Sequence, residues 1–189
     1  MSTIATYIRD QAYQRLTTGS LSSNWKNTRK APMPTLQNDQ LTALAVYMLR
    51  EVMTADGDHN VSVPKYVSDA ILAISVMKSE TDPTVADGAM DTLLDQIEDA
   101  LLTDISFVSL DMNGEQIIEG FPQITRSYAF PSNGETYLIE AKLQITVRFR
   151  CNFQPVANTT ITDVEVEIPY VATTINPTPS IMDIQLQEP

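Results

Sequence analysis

A chain of 189 residues that is 43% hydrophobic and 19% charged has the make-up of a globular protein with room for one core. Its net charge of −12 argues against a grip on nucleic acid, which needs bases to displace condensed counterions. No apolar run approaches the ~20 residues of a membrane-spanning helix, the start lacks an export signal, and the single cysteine excludes an internal disulfide framework, so the chain reads as cytosolic.

The periodicity predicts a first helix over residues 3–17, where Ile4, Ile8, Ala12 and Leu16 recur at four-residue spacing. Gly19 and the polar cluster behind it end that helix. Residues 18–40 are turn-rich and read as a long loop or arm. Residues 41–53 carry a helical stripe (Leu41, Leu44, Ala45, Met48, Leu49, Val52), so periodicity favours a helix there, although an apolar run of this kind also suits a strand buried on both faces. A loop with an Asp56-Gly57-Asp58 turn follows. Residues 69–79 are apolar on both sides, as in a central strand.

The clearest helix starts with Asp82 as N-cap and Pro83 as first helical residue. Val85, Ala89, Met90, Leu93, Leu94, Ile97 and Leu101 form its apolar stripe, and Asp87, Asp91, Asp95, Glu98 and Asp99 form an acidic face opposite. Residues 105–110 are expected to be a short strand ending at Asn113-Gly114. Residues 121–130 and 136–151 then form a hairpin. In its second strand eight apolar positions, from Tyr137 to Cys151, alternate with mostly polar ones. A weaker alternation over 163–170 leads into an extended, proline-bearing tail, so residues 1–153 are taken as the main α+β domain and 154–189 as an extension.

Charge is segregated along the chain. Residues 1–30 hold five bases, Arg9, Arg15, Lys26, Arg29 and Lys30, against Asp10 alone. Between Lys78 and Arg126 there is no base but eleven acids. Polarity of this kind suits a head-to-tail assembly, in which two unlike surfaces meet. The residues expected at a subunit or partner interface are therefore the five bases with Trp25 beside them, together with Asp56, Asp58 and His59 in the turn.

No catalytic, cofactor or metal constellation emerges. His59, the sole histidine, lies in a polar turn, which leaves a Ser-His-Asp or Cys-His site without a base elsewhere. Asp56, Asp58 and Asn60 match the opening of a calcium loop, but Val61 and Val67 stand where Gly and Glu are required. The helix carboxylates read as a solvated face, no glycine cluster is available to cradle a phosphate, and Cys151 falls on the apolar side of its strand as an inert core thiol. The chain is expected not to be an enzyme.

In segment order and in text, residues 45–51 (AVYMLRE), 54–58 (TADGD), 69–76 (DAILAISV), 93–101 (LLDQIEDAL) and 118–120 (IEG) followed by the hairpin resemble the tail terminator, or tail completion, proteins of tailed bacteriophages. The similarity covers about residues 3–153. It implies a mixed, mainly antiparallel sheet flanked by two helices, with a long hairpin and extended loops, and it makes residues 41–53 a strand. It also implies a homo-hexameric ring that caps the tail tube, ends its polymerisation and offers a joining surface to the neck or connector. Implied partners are the tail tube protein, a neck or head-completion protein and a sheath protein, with DNA passing through an acidic bore without specific binding and no membrane. The implied location is the head-proximal end of the virion tail, after assembly in the host cytoplasm. Another virion joint or tube protein, such as a head-closure, neck, tail-tube or baseplate component, fits the same text.

Overall fold

The computed structural model describes residues 2–34, 36, 38–57, 64–80, 83–130, 132, 133 and 136–153. The expected N-cap Asp82, the hairpin turn at 131, 134 and 135, and all of 154–189 lie outside them. The fold is α+β, as the sequence predicted. In chain order it runs α1 (Thr3–Thr18), β1 (Asn27–Arg29), β2 (Ala43–Ala55), β3 (Lys65–Glu80), α2 (Pro83–Leu102), α3 (Ile105–Val108), β4 (Asp111–Met112), β5 (Glu115–Gln116), β6 (Ile118–Ala129), β7 (Ser132–Asn133) and β8 (Thr136–Asn152). The main sheet has the order β1-β2-β3-β8-β6, and β7 pairs with β8 at the hairpin end. Every pairing in it is antiparallel except β1 with β2.

The two long helices share one face of this sheet. Ile8, Ala12 and Leu16 of α1 and Met90, Leu94, Ile97 and Leu101 of α2 are fully buried against Leu44, Val46, Leu72, Ile74, Leu143, Ile145 and Phe149. Each large side chain buried this way contributes roughly 1.5–3 kcal/mol relative to exposure. α1 lies over β2, and α2 lies over β8 and β3.

Residues 43–55 form a strand, so the helical stripe there is a coincidence of composition. Both faces of its first half are covered, which erases the alternation a strand normally shows. Leu44, Val46 and Met48 face the helices, whereas Ala43, Ala45 and Tyr47 face a second apolar layer. Residues 18–40 supply that layer and are not a free arm. Leu21 and Trp25 pack on the helix side, while Met33 and Leu36 cross to the other face with Leu41, against Ala43, Met77 and Leu138. β1 also lies in this stretch, parallel to β2 from Asn27 opposite Ala43 to Arg29 opposite Ala45.

The expectation of a strand over 105–110 is corrected. Residues 105–108 form one helical turn, because the Asp104 carboxylate accepts hydrogen bonds from the Ser106 N–H (2.9 Å) and hydroxyl (2.7 Å). That turn drives Phe107 into the core and leaves Ile105 78% exposed. Asn113 (φ 60°) and Gly114 (φ 83°) then close the two-residue hairpin β4–β5, where both central positions require a left-handed backbone.

Candidate assembly interface

The charge segregation of the sequence becomes a segregation across the sheet. The basic first thirty residues build α1 and β1 at the β2 edge, and the base-free stretch builds α2 and the beginning of β6 at the other edge.

Most of the predicted interface bases are held within the chain. Arg9 donates to Asp10 at 2.8 Å, and the Lys30 ammonium lies 3.0 Å from the same carboxylate. Burial pushes the Asp10 carboxyl up, but these two cations outweigh it and hold its pKa below the ordinary value. Arg15 donates to Asp104 at 2.9 Å and to the Ser106 hydroxyl at 2.9 Å, tying α1 to α3. The Ser106 bonds, with burial opposing them and Arg15 adding to them, hold Asp104 below the usual carboxylate range. Trp25 is half-buried, and its indole N–H donates to the Leu16 carbonyl at 2.8 Å, closing the C-terminal end of α1.

Lys26, Arg29 and Arg50 differ from these three. No ion pair engages any of them among the described residues, and the Arg29 Nε is buried without a hydrogen-bond partner. Lys26 and Arg50 are exposed. Arg29, at the end of β1, is partly buried, so the unpaired charge that reaches solvent here is chiefly that of Lys26 and Arg50. Arg50 was not among the residues expected at an interface; in the sequence it stands beside Glu51 in a run that is mostly apolar.

On the other flank, α2 carries four of the five predicted acids within the described side chains, and Asp87's side chain lies outside them. Arg126 of β6 reaches Glu98 (2.7 Å to each carboxylate oxygen) and Asp95 (2.7 Å). Those two partners, Glu98 first, raise the Arg126 pKa further above its already high value. The Tyr128 hydroxyl donates to Asp91, which with burial pushes the phenol up. Asp99 is exposed and has no ion-pair partner among the described residues. It sits beside a shallow groove of about 540 Å³ between Ser20–Asn24 and Gln96–Thr103.

Asp56 pairs with Arg150 at 3.3 Å, and Glu119 meets the same arginine at 3.1 Å. Asp58 and His59 lie outside the described residues. Glu51, which the sequence did not single out, joins three elements. Its carboxylate accepts from the Ser2 N–H (2.8 Å) and the buried Ser68 hydroxyl (2.9 Å), so β2 anchors the start of α1 to β3. Burial works to raise the Glu51 pKa, but the Ser2 and Ser68 bonds prevail and lower it. Cys151 is buried near this carboxylate, and burial pushes its thiol up.

No group of three or more metal-ligating side chains occurs among the described residues, and no described helix is long and apolar enough to cross a membrane. The arrangement is one of two unlike charged flanks joined by a stiff sheet.

No family model and no curated protein matches the chain. Among solved structures, a chain described as "Virion of native gene transfer agent (GTA) particle" overlaps 78% of this chain and 99% of its own length, at 16% identity and a TM-score of 0.41. An overlap that loose carries no argument about fold or role.

Proposed function

We propose that this chain is a virion structural protein of a tailed phage, a tail terminator that caps the finished tail tube as a closed ring of six. In that role it catalyses nothing. It ends tube polymerisation and presents a joining surface to the neck or connector, at the head-proximal end of the tail. The observation that carries the reading is the strand over 43–55. Periodicity asks for a helix there, and the segment resemblance to tail terminators asks for a strand.

The two flanks add physical support. A closed ring is built from one heterologous contact repeated, which needs two different complementary patches on each copy. The free cations of β1 and β2 and the carboxylates of α2 are such a pair. With Arg126 and Tyr128 already on α2, the exposed Asp99 and the outer oxygens of Asp91 and Asp95 are the acids left to meet a neighbour or the bore.

Electron microscopy of the protein incubated with tail-tube subunits tests the proposal. A terminator leaves short tubes with density at one end only. Tubes that lengthen with added protein, or that grow as if it were absent, overturn the reading.

A further inference from the structure

We infer that copies of this chain stack face to back. The sheet face that carries no helix, in one copy, packs against the outer side of the α2–α3 layer in the next. This rests on the ring reading above and names the two surfaces that repeat around the ring.

The register sorts the charges onto opposite faces of the sheet. Ala45, Tyr47 and Ala73 look away from the helices, toward the second apolar layer. Arg29 stands opposite Ala45, Arg50 opposite Ile71 and Lys142 opposite Ser75. By strand alternation from Ala45 and Ala73, all three bases share the helix-free face. Arg126 and Tyr128 stand opposite Leu143 and Ala141, on the helix side, where they hold Asp95, Glu98 and Asp91.

The helix-free face is only half covered, and its bases exceed the acids that pair with them. Among the described residues the second apolar layer ends at Tyr47 and Ala73, which leaves Arg50, Val52 and Ile71 beyond it. Asp69 takes Arg148, and Asp56 and Glu119 take Arg150. Glu140 accepts from the buried Ser75 hydroxyl at 2.9 Å. Arg50 and Lys142 have no ion-pair partner among the described residues. In a chain of net charge −12, this face has cations to spare.

The outer side of the helix layer is its complement. The bases of α1 are neutralised within the chain. α2 presents Asp95, which stays 62% exposed while paired, and Asp99, exposed and without an ion-pair partner among the described residues. Phe107 takes the core side of α3 and leaves Ile105 78% exposed on the other. The contact turns Asp95 and Asp99 toward Arg50 and Lys142, and it seats Ile105 on Val52 and Ile71 beside Arg50.

Charge excludes the two symmetric alternatives. Sheet face on sheet face opposes bases to bases, and helix layer on helix layer opposes acids to acids, each at a cost in affinity. The remaining contact joins unlike surfaces on opposite sides of one molecule, which is the heterologous kind that closes a ring.

Light scattering on charge-reversed variants tests this. R50E/K142E makes the sheet face acidic. D95K/D99K makes the helix layer basic, while Glu98 still holds Arg126. Wild type should run as an oligomer of the 21.0 kDa chain, and each variant alone as a monomer with the wild-type circular dichroism. An equimolar mixture should recover the wild-type mass, because in an alternating ring every contact again joins unlike charges. Ile105→Ser reads the same contact without a change of charge, at a side chain too exposed to support its own fold. Its oligomer should dissociate at roughly tenfold higher concentration. A wild-type monomer, an oligomer that survives either reversal, a mixture that stays monomeric, or an unchanged dissociation of Ile105→Ser overturns the inference. Tube capping by wild type is read separately. Capping by an oligomer indifferent to these variants sinks the stacking alone, and a charge-dependent oligomer that fails to cap sinks the terminator reading alone.

Discussion

The two flanks of the sheet carry opposite charge and handle it differently. On the α1 side, Asp10 and Asp104 neutralise Arg9, Lys30 and Arg15, and the cations without a partner sit on β1 and β2. On the α2 side one base, Arg126, serves two carboxylates, and Asp95 remains 62% exposed even while paired. Formal charge in the sequence therefore overstates the basic flank more than the acidic one. What a partner meets is the remainder after internal pairing, and on the basic flank that remainder lies at the sheet edge rather than on the helix.

The largest expected effects come from breaking the frame that holds the flanks apart. Leu16→Ala under α1 and Leu94→Ala under α2 each remove a fully buried side chain and should each cost about 2–5 kcal/mol. Chemical denaturation followed by far-UV circular dichroism checks this. One shared transition in both variants means that the flanks fold as a unit, and two separated transitions would break the comparison into independent halves.

Glu51→Gln affects the basic flank alone. Its carboxamide cannot accept two charge-assisted bonds, so stability at neutral pH should fall by about 1–3 kcal/mol. The folded pKa of Glu51 lies below its ordinary value of 4.5. Its stabilisation is therefore complete above that value and is lost as pH falls through the folded one. The variant should flatten the acid limb of a stability–pH curve, and an unchanged limb would show that Glu51 is no anchor.

Trp25→Phe keeps one aromatic ring but removes the rest of the indole, with the N–H that donates to the Leu16 carbonyl, and should cost about 1–3 kcal/mol in the same assay. Arg126→Met is expected to be the mildest, at or below about 1 kcal/mol, because the pairs it breaks are partly solvated. A larger loss would mean that the acidic flank depends on its one base as a core element.

Much of the frame was legible in the sequence. α1, α2 and β8 each bury one side only, so their periods survive in the text. Residues 43–55 misled periodicity because the helices and the second apolar layer cover the two faces of their first half. β1 carried no signal, since Asn27-Thr28-Arg29 is polar and only its partner strand makes it a strand. The helical turn at 105–108 was announced by Asp104 two residues before Ser106, a cap that a short apolar run concealed. At the candidate interface, the segregation of charge was legible. The internal pairs were not, because Arg15 finds Asp104 and Arg126 finds Asp95 across distances in sequence that only the fold brings together.

The central claim is that copies meet through unlike charged flanks, and the mass of the wild-type protein in solution as a function of salt tests it most directly. Between about 0.1 M and about 1 M salt the screening length falls from about 10 Å to about 3 Å. The account predicts an oligomer at the low end that shifts toward the 21.0 kDa chain as salt rises. An oligomer of unchanged mass across that range would contradict it.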